Sequence, residues 1–420
     1  MFAFLFLMGM TMSMDDGAVH VELSTGEKAR GTAPVFLDLP DRLRGARFLK
    51  LERSDDGAVV PAQVLPGDPP QVVWVLEAPL PAAATRRYRL SEDQAPVARA
   101  GPRRGPELEV RADDQTTTIG LAGQNVLTYH AAVAAPPPGI DPLYRRSGFI
   151  HPLTTRSGRV LTEAFPADHA HQHGLFFAWV DTNFQGRPVD FWNQAKKTGR
   201  VANVGPVETR GGAVCRDLLA RLRHEDLTAP GGPATVLDEH WTVRVYDVPG
   251  VVMVDFVSEH KCAGDQALTI HKYHYGGFGL RGTSLWFDPT AKGDDPPKPD
   301  RSGEVAFQTS EGKGRAEGNH SRPRWVDLSG RIDGAFAGVA ILQHPSNFRF
   351  PQPTRLHPNK PYLAFSPMFL GEFTIRPGEP YVSRHRLILH DGKADSAALD
   401  QAWDDYANPA LARVVSDAAP

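Results

Sequence analysis

Val236-Leu237-Asp238-Glu239-His240-Trp241-Thr242-Val243-Arg244-Val245-Tyr246-Asp247-Val248, then Pro249-Gly250, then Val251-Val252-Met253-Val254-Asp255-Phe256-Val257-Ser258-Glu259, is the stretch that decides the fold. Leu237, Trp241, Val243 and Val245 recur on alternate positions, the period of a strand with one face on a core; a helix would repeat apolar residues every three and four. Pro249-Gly250 reads as the turn between two strands. An antiparallel pair is therefore expected over Val236–Glu259.

The pattern extends outward from this pair. Leu268 and Ile270 alternate with Thr269, His271, Tyr273 and Tyr275, which predicts a third strand with one apolar face and one polar and aromatic face. Glycines (39) and prolines (37) punctuate short apolar runs throughout, the texture of an all-β protein. One helix is predicted, near the end, where Leu399, Ala402, Trp403 and Tyr406 recur at helical spacing before Asn408-Pro409. Short alternating segments over 17–92 predict a small N-terminal β-sandwich. A Pro-, Ala- and Arg-rich linker over 93–106 and a large β domain over 107–420 follow. Met1–Met10 is an apolar run too short to span a membrane, so 1–16 is expected to be a signal peptide and the protein to be exported, to the periplasm or beyond the cell.

Composition narrows the function. With 41% hydrophobic and 23% charged residues among 420, the chain can bury a substantial core. A net charge of −3 gives no long-range attraction to nucleic acid, and no stretch suits a membrane span. A small-molecule or glycan substrate is the expected partner; oligomeric state is not legible. Cys215 and Cys262 suit one disulfide or two unrelated thiols. Gly277-Phe278-Gly279-Leu280-Arg281-Gly282 matches a dinucleotide fingerprint, but the strand-like Thr283–Phe287 stands where a helix should bind pyrophosphate.

The chemistry concentrates in Asp168-His169-Ala170-His171-Gln172-His173-Gly174. An extended backbone would set His169, His171 and His173 in a row on one side. Imidazoles serve as acid, base or metal ligand near neutral pH.

Together with His151-Pro152-Leu153, Val189-Asp190-Phe191-Trp192, Gly276–Arg281, Ser310-Glu311-Gly312, Trp325–Gly330 and His344-Pro345-Ser346-Asn347, this run resembles a bacterial family named methane oxygenase PmoA-like, over about Glu107 to Leu389. Methane oxidation does not fit, because the membrane subunit in that name is built of spanning helices. The resemblance implies a β-supersandwich similar to galactose-mutarotase-like domains. The family's motif reads D-H-P-H-H-R-G; here Ala170, Gln172 and His173 replace its proline, third histidine and arginine.

Three functions compete. The leading one is a carbohydrate-active enzyme, a hydrolase, lyase or epimerase, with His169, His171, Glu311 and His344 as acid–base groups and no cofactor. Asp168, His173, Trp179, Trp192, Arg281 and Asn347 would bind substrate, the tryptophans and Phe278 offering flat faces to a sugar ring. The second is a zinc or copper enzyme with the ion on His169, His171 and His173. The third is a non-catalytic carbohydrate-binding protein.

Overall fold

The computed structural model describes residues 17–95, 108–286 and 305–416. The expected signal peptide, most of the linker and Phe287 lie outside the described residues. The architecture is nearly all-β, a small sandwich against a supersandwich of two large sheets.

The Val236–Glu259 reading holds. Strands Ala234–Tyr246 and Val252–Cys262 pair antiparallel with Trp241 opposite Ser258 and Val243 opposite Phe256. Trp241, Val243, Val245, Val254 and Phe256 enter the core between the large sheets, whereas Tyr246 and Met253 face a second apolar cluster behind. Both faces of this hairpin are thus buried.

The hairpin lies inside a nine-stranded antiparallel sheet. Facing it is an eight-stranded sheet whose centre is Gly277–Arg281, Leu175–Ala178 and Phe149–Leu153. Their aromatic contacts seal the layer: Tyr129 meets Trp241 at 5.8 Å and Phe256 meets Phe278 at 4.9 Å.

The expected third strand is corrected. Val252–Cys262 already pairs with Tyr381–Asp391 on its other edge, so Leu268–Ile270 has no place beside it. That short strand joins Thr182–Phe184 and Phe373–Ile375 in a separate four-stranded sheet, and His271–Tyr275 is not strand. The dinucleotide-like glycines are strand too. A Cβ on Gly279 would sit 2.8 Å from the Trp192 ring, so the glycine is there to admit an indole.

The small sandwich pairs a five-stranded with a three-stranded sheet around Val21, Leu51, Trp74, Tyr88 and Leu90. Its edge strand is the last among the described residues: Leu411–Val415 lies against Val19–Ser24. The expected division at 107 therefore misplaces this strand, which passes back to the first unit. The C-terminal helix is Ser396–Ala407, capped by Asp395 accepting from the Ala397 and Ala398 N–H groups. A one-turn helix, Arg315–Gly318, was not expected. Cys215 and Cys262 are free thiols. Among the described residues no helix is long and apolar enough to cross a membrane.

Candidate functional site

The histidine run is not extended. It forms turns in which His169 N–H donates to Pro166 O at 3.0 Å and Gln172 N–H to His169 O at 2.8 Å. An Ala164–His173 bridge closes the loop at the end of the central strands. Gly174 makes the exit with φ +61°, where a Cβ would lie 2.2 Å from Ile150 O. The expected row of three imidazoles is thereby broken. His173 is buried among Phe149, Phe165 and Phe176, its Nε2 3.2 Å from Gln194 Oε1. Burial holds it neutral, well below the usual histidine range.

His169 and His171 stay together, ring centres 5.4 Å apart, and His357 joins at 5.8 Å from His169. Asp168 anchors the group. Its carboxylate accepts both Arg281 arms, at 2.8 and 3.0 Å, and lies 3.0 Å from His169 Nδ1. Burial alone would raise Asp168, but the His169 bond and the guanidinium outweigh it and hold the carboxyl well below the usual range. Arg281 is fully buried and also donates to Gln172 Oε1 at 3.0 Å. It clamps the loop; the expected grip on substrate is corrected.

Lys360, only 7% exposed at its side chain, places Nζ 3.1 Å from His169 Nδ1. The loop holding it is fixed by Arg315, which donates to His357 O and Lys360 O, both at 2.8 Å. Burial drives His171 down to about 4 and, with the Lys360 and Arg355 charges, His357 to about 3, so both are neutral bases at neutral pH. Glu163 stands beside Arg281; burial raises its carboxyl, the guanidinium partly opposing. Its Oε2 is buried without a hydrogen-bond partner among the described residues.

The other expected residues lie elsewhere. Glu311 is exposed and pairs with Lys313 at 2.9 Å. His344 bonds Ser346 Oγ at 2.8 Å and meets Tyr406 of the C-terminal helix edge-on at 5.0 Å. Asn347 pins Arg384, accepting from its N–H and donating to its carbonyl at 2.8 Å each. Trp179, Trp192 and Phe278 are fully buried and cannot offer a face to a sugar. Glu163, His357 and Lys360 were missed. His357-Pro358 was a usable signal, since it repeats the His-Pro pairs at 151 and 344; nothing in the sequence marks Lys360 as nearly buried.

Among the described residues, metal-compatible spacing is met not by the expected His169, His171 and His173 but by His224, Glu239 and His260, whose ligand atoms lie within 4.8 Å of one another. All three are fully buried between the sheets. Glu239 is already well supplied with donors: Ser258 and Trp241 bond Oε1 at 2.5 Å, and His224 Nε2 lies 2.8 Å from Oε2. Burial would raise this carboxyl, yet the His260 and His224 contacts outweigh it and hold it at about 2. Glu239 is thus satisfied from within the cluster, whereas His224 Nδ1 and His260 Nδ1 are buried without a hydrogen-bond partner among the described residues.

Solved structures of similar shape include an alpha-mannosidase from Enterococcus faecalis V583, at TM-score 0.42 and 10% identity over 96% of this chain and 46% of that one. Heparan sulfate lyase HepC from Pedobacter heparinus superposes at TM-score 0.28 and 11% identity, over 67% of this chain and 34% of the lyase. A galactose mutarotase related enzyme from Lactobacillus acidophilus gives TM-score 0.24 and 9% identity, over 68% of this chain and 100% of that one. The chain spans about half the length of the mannosidase. Among curated proteins none matches. The resemblance to the PmoA-like family is overturned by the family model that does match, and over residues 116–404 the chain belongs to the family of unknown function (DUF6807).

Proposed function

We propose that the chain is an enzyme acting on a hydroxyl-rich, sugar-like substrate by acid–base chemistry centred on His169. The observation that carries this is the Asp168–His169 pair, clamped from behind by Arg281 and flanked by two neutral imidazoles. His169 Nδ1 lies 3.0 Å from Asp168 Oδ2 and 3.1 Å from Lys360 Nζ; in the tautomer that donates Nδ1–H to Asp168 the lone pair is on Nε2, which has no partner among the described residues, and solvent reaches 29% of the side chain. Such a nitrogen takes a proton from a substrate O–H or activated C–H and returns it to the leaving or inverted centre. The Lys360 ammonium supplies positive charge for a developing oxyanion. Elimination and epimerisation beside a carbonyl or carboxylate need this pairing of a base with a stabiliser of negative charge, and hydrolysis of a glycoside would use the same nitrogen as acid and base. Export, expected from residues 1–16, belongs to the same reading and is tested by N-terminal sequencing of the protein recovered outside the cytoplasm.

The test is turnover of a panel of glycosides, keto-sugars and sugar acids by the full chain. His169→Ala should lower kcat at least about 100-fold, the lower end for a positioned general base, with the melting temperature kept. Turnover within a few-fold of the parent would remove His169 from the chemistry, and no turnover of any panel member would remove the enzymatic reading.

A further inference from the structure

A cavity of about 430 Å³ opens between the 131–147 segment and strand Gly199–Asn203. Arg145, Arg146, Lys197 and Arg200 line it, and among the described residues no carboxylate does. Four cationic residues thus border one cavity on a chain whose net charge is −3. Arg200 is held by Glu225 at 2.5 Å, but Arg145 and Lys197 are exposed and form no ion pair among the described residues.

Arg146 is the independent observation. It is buried, lies 5.3 Å over the Phe176 ring and donates to Phe177 O at 3.3 Å. Its Nε is buried with no hydrogen-bond partner, and no carboxylate lies within 4 Å among the described residues. Glu239 reaches it only through its field. A guanidinium held this way costs free energy unless an anion completes it.

The cavity also adjoins the histidine loop. Gln194, part of its lining, lies 3.2 Å from His173 through Oε1 and donates to Arg145 O at 2.9 Å through Nε2. Val133 and Leu143 add apolar surface for a ring.

We propose that this cavity is an anion subsite of the His169 centre, taking the carboxylate or sulfate of an acidic sugar whose hydroxyls reach the imidazoles. This rests on the acid–base reading above and adds the substrate class. The planar guanidinium fork suits either oxyanion, and the shorter-reaching Lys197 serves as a point charge.

Calorimetric titration of the full chain with glucuronate, glucose 6-sulfate, glucose and inorganic sulfate tests it, at low and high salt. At least one acidic sugar should bind about tenfold or more tighter than glucose, ~1.4 kcal/mol, and the preference should shrink with salt. The carboxylate and sulfate arms identify the anion. Arg145→Gln/Lys197→Gln, two exposed changes that spare the fold, should reduce the preference to a few-fold at unchanged melting temperature. Acidic sugars binding no tighter than glucose, or a preference untouched by the double variant, overturns the proposal. Inorganic sulfate binding as tightly as glucose 6-sulfate does so too, leaving a plain ion site. Because binding is read apart from turnover, selective binding without turnover sinks only the acid–base reading, and turnover confined to neutral sugars sinks only the subsite.

Discussion

Asp168 and Arg281 form a two-armed ion pair in which the arginine is fully buried and the carboxylate only slightly exposed. Removing one partner strands the other charge. Arg281→Ala should cost about 3–5 kcal/mol, read as a lower urea midpoint, whereas an unchanged midpoint would show the pair to be dispensable. Arg281→Lys keeps the charge but loses the fork, so an intermediate loss is expected. At this scale the sequence was half legible. Asp168, His169 and His171 stood out because three ionisable residues lie within four positions. Their partners did not: Lys360 lies 191 residues from His169 in the chain and Arg281 113 from Asp168. Alternation misplaced His173, because it presupposed an extended backbone where Pro166 O and His169 O accept turn bonds.

Strands were the more legible elements. The Val236–Glu259 hairpin could be read because apolar alternation and Pro-Gly punctuation agree. The Leu268 segment could not, since which strand takes a free edge is decided by residues more than a hundred positions away. Glycine spacing misleads in the same way: Gly277-Phe278-Gly279-Leu280-Arg281-Gly282 matches a dinucleotide fingerprint, yet Gly279 serves side-chain packing. Gly279→Ala should cost about 1–3 kcal/mol by overpacking against Trp192, seen as a lower melting temperature. A neutral result would mean that the indole yields. Shrinking the ring with Trp192→Leu should partly restore Gly279→Ala, a coupling that unrelated sites lack.

Across the molecule several histidines are buried or half-buried. Burial lowers His151, His171 and His260 to about 4 and His357 and His385 to about 3. Each folded value lies below the unfolded 6.5, so in that window the unfolded chain binds more protons. Stability is then complete above about pH 6.5 and falls toward pH 4, each group contributing up to ~1.4 kcal/mol per pH unit. His390, raised by Asp327 against its burial, opposes the trend. Melting temperatures should drop between about pH 7 and pH 5, with calorimetric proton uptake on unfolding; a flat profile would mean that the rings are hydrated. Deleting 409–420 should expose the Val19–Ser24 edge and speed proteolysis of 17–95 relative to the rest. The strand Leu411–Val415 has a temporal meaning as well. On a ribosome adding about 5–20 residues per second, Val19–Ser24 emerges roughly 20–80 s before its neighbour exists. A unit begun early is thus finished late, and a nascent chain must shield that open edge until Leu411–Val415 has been made.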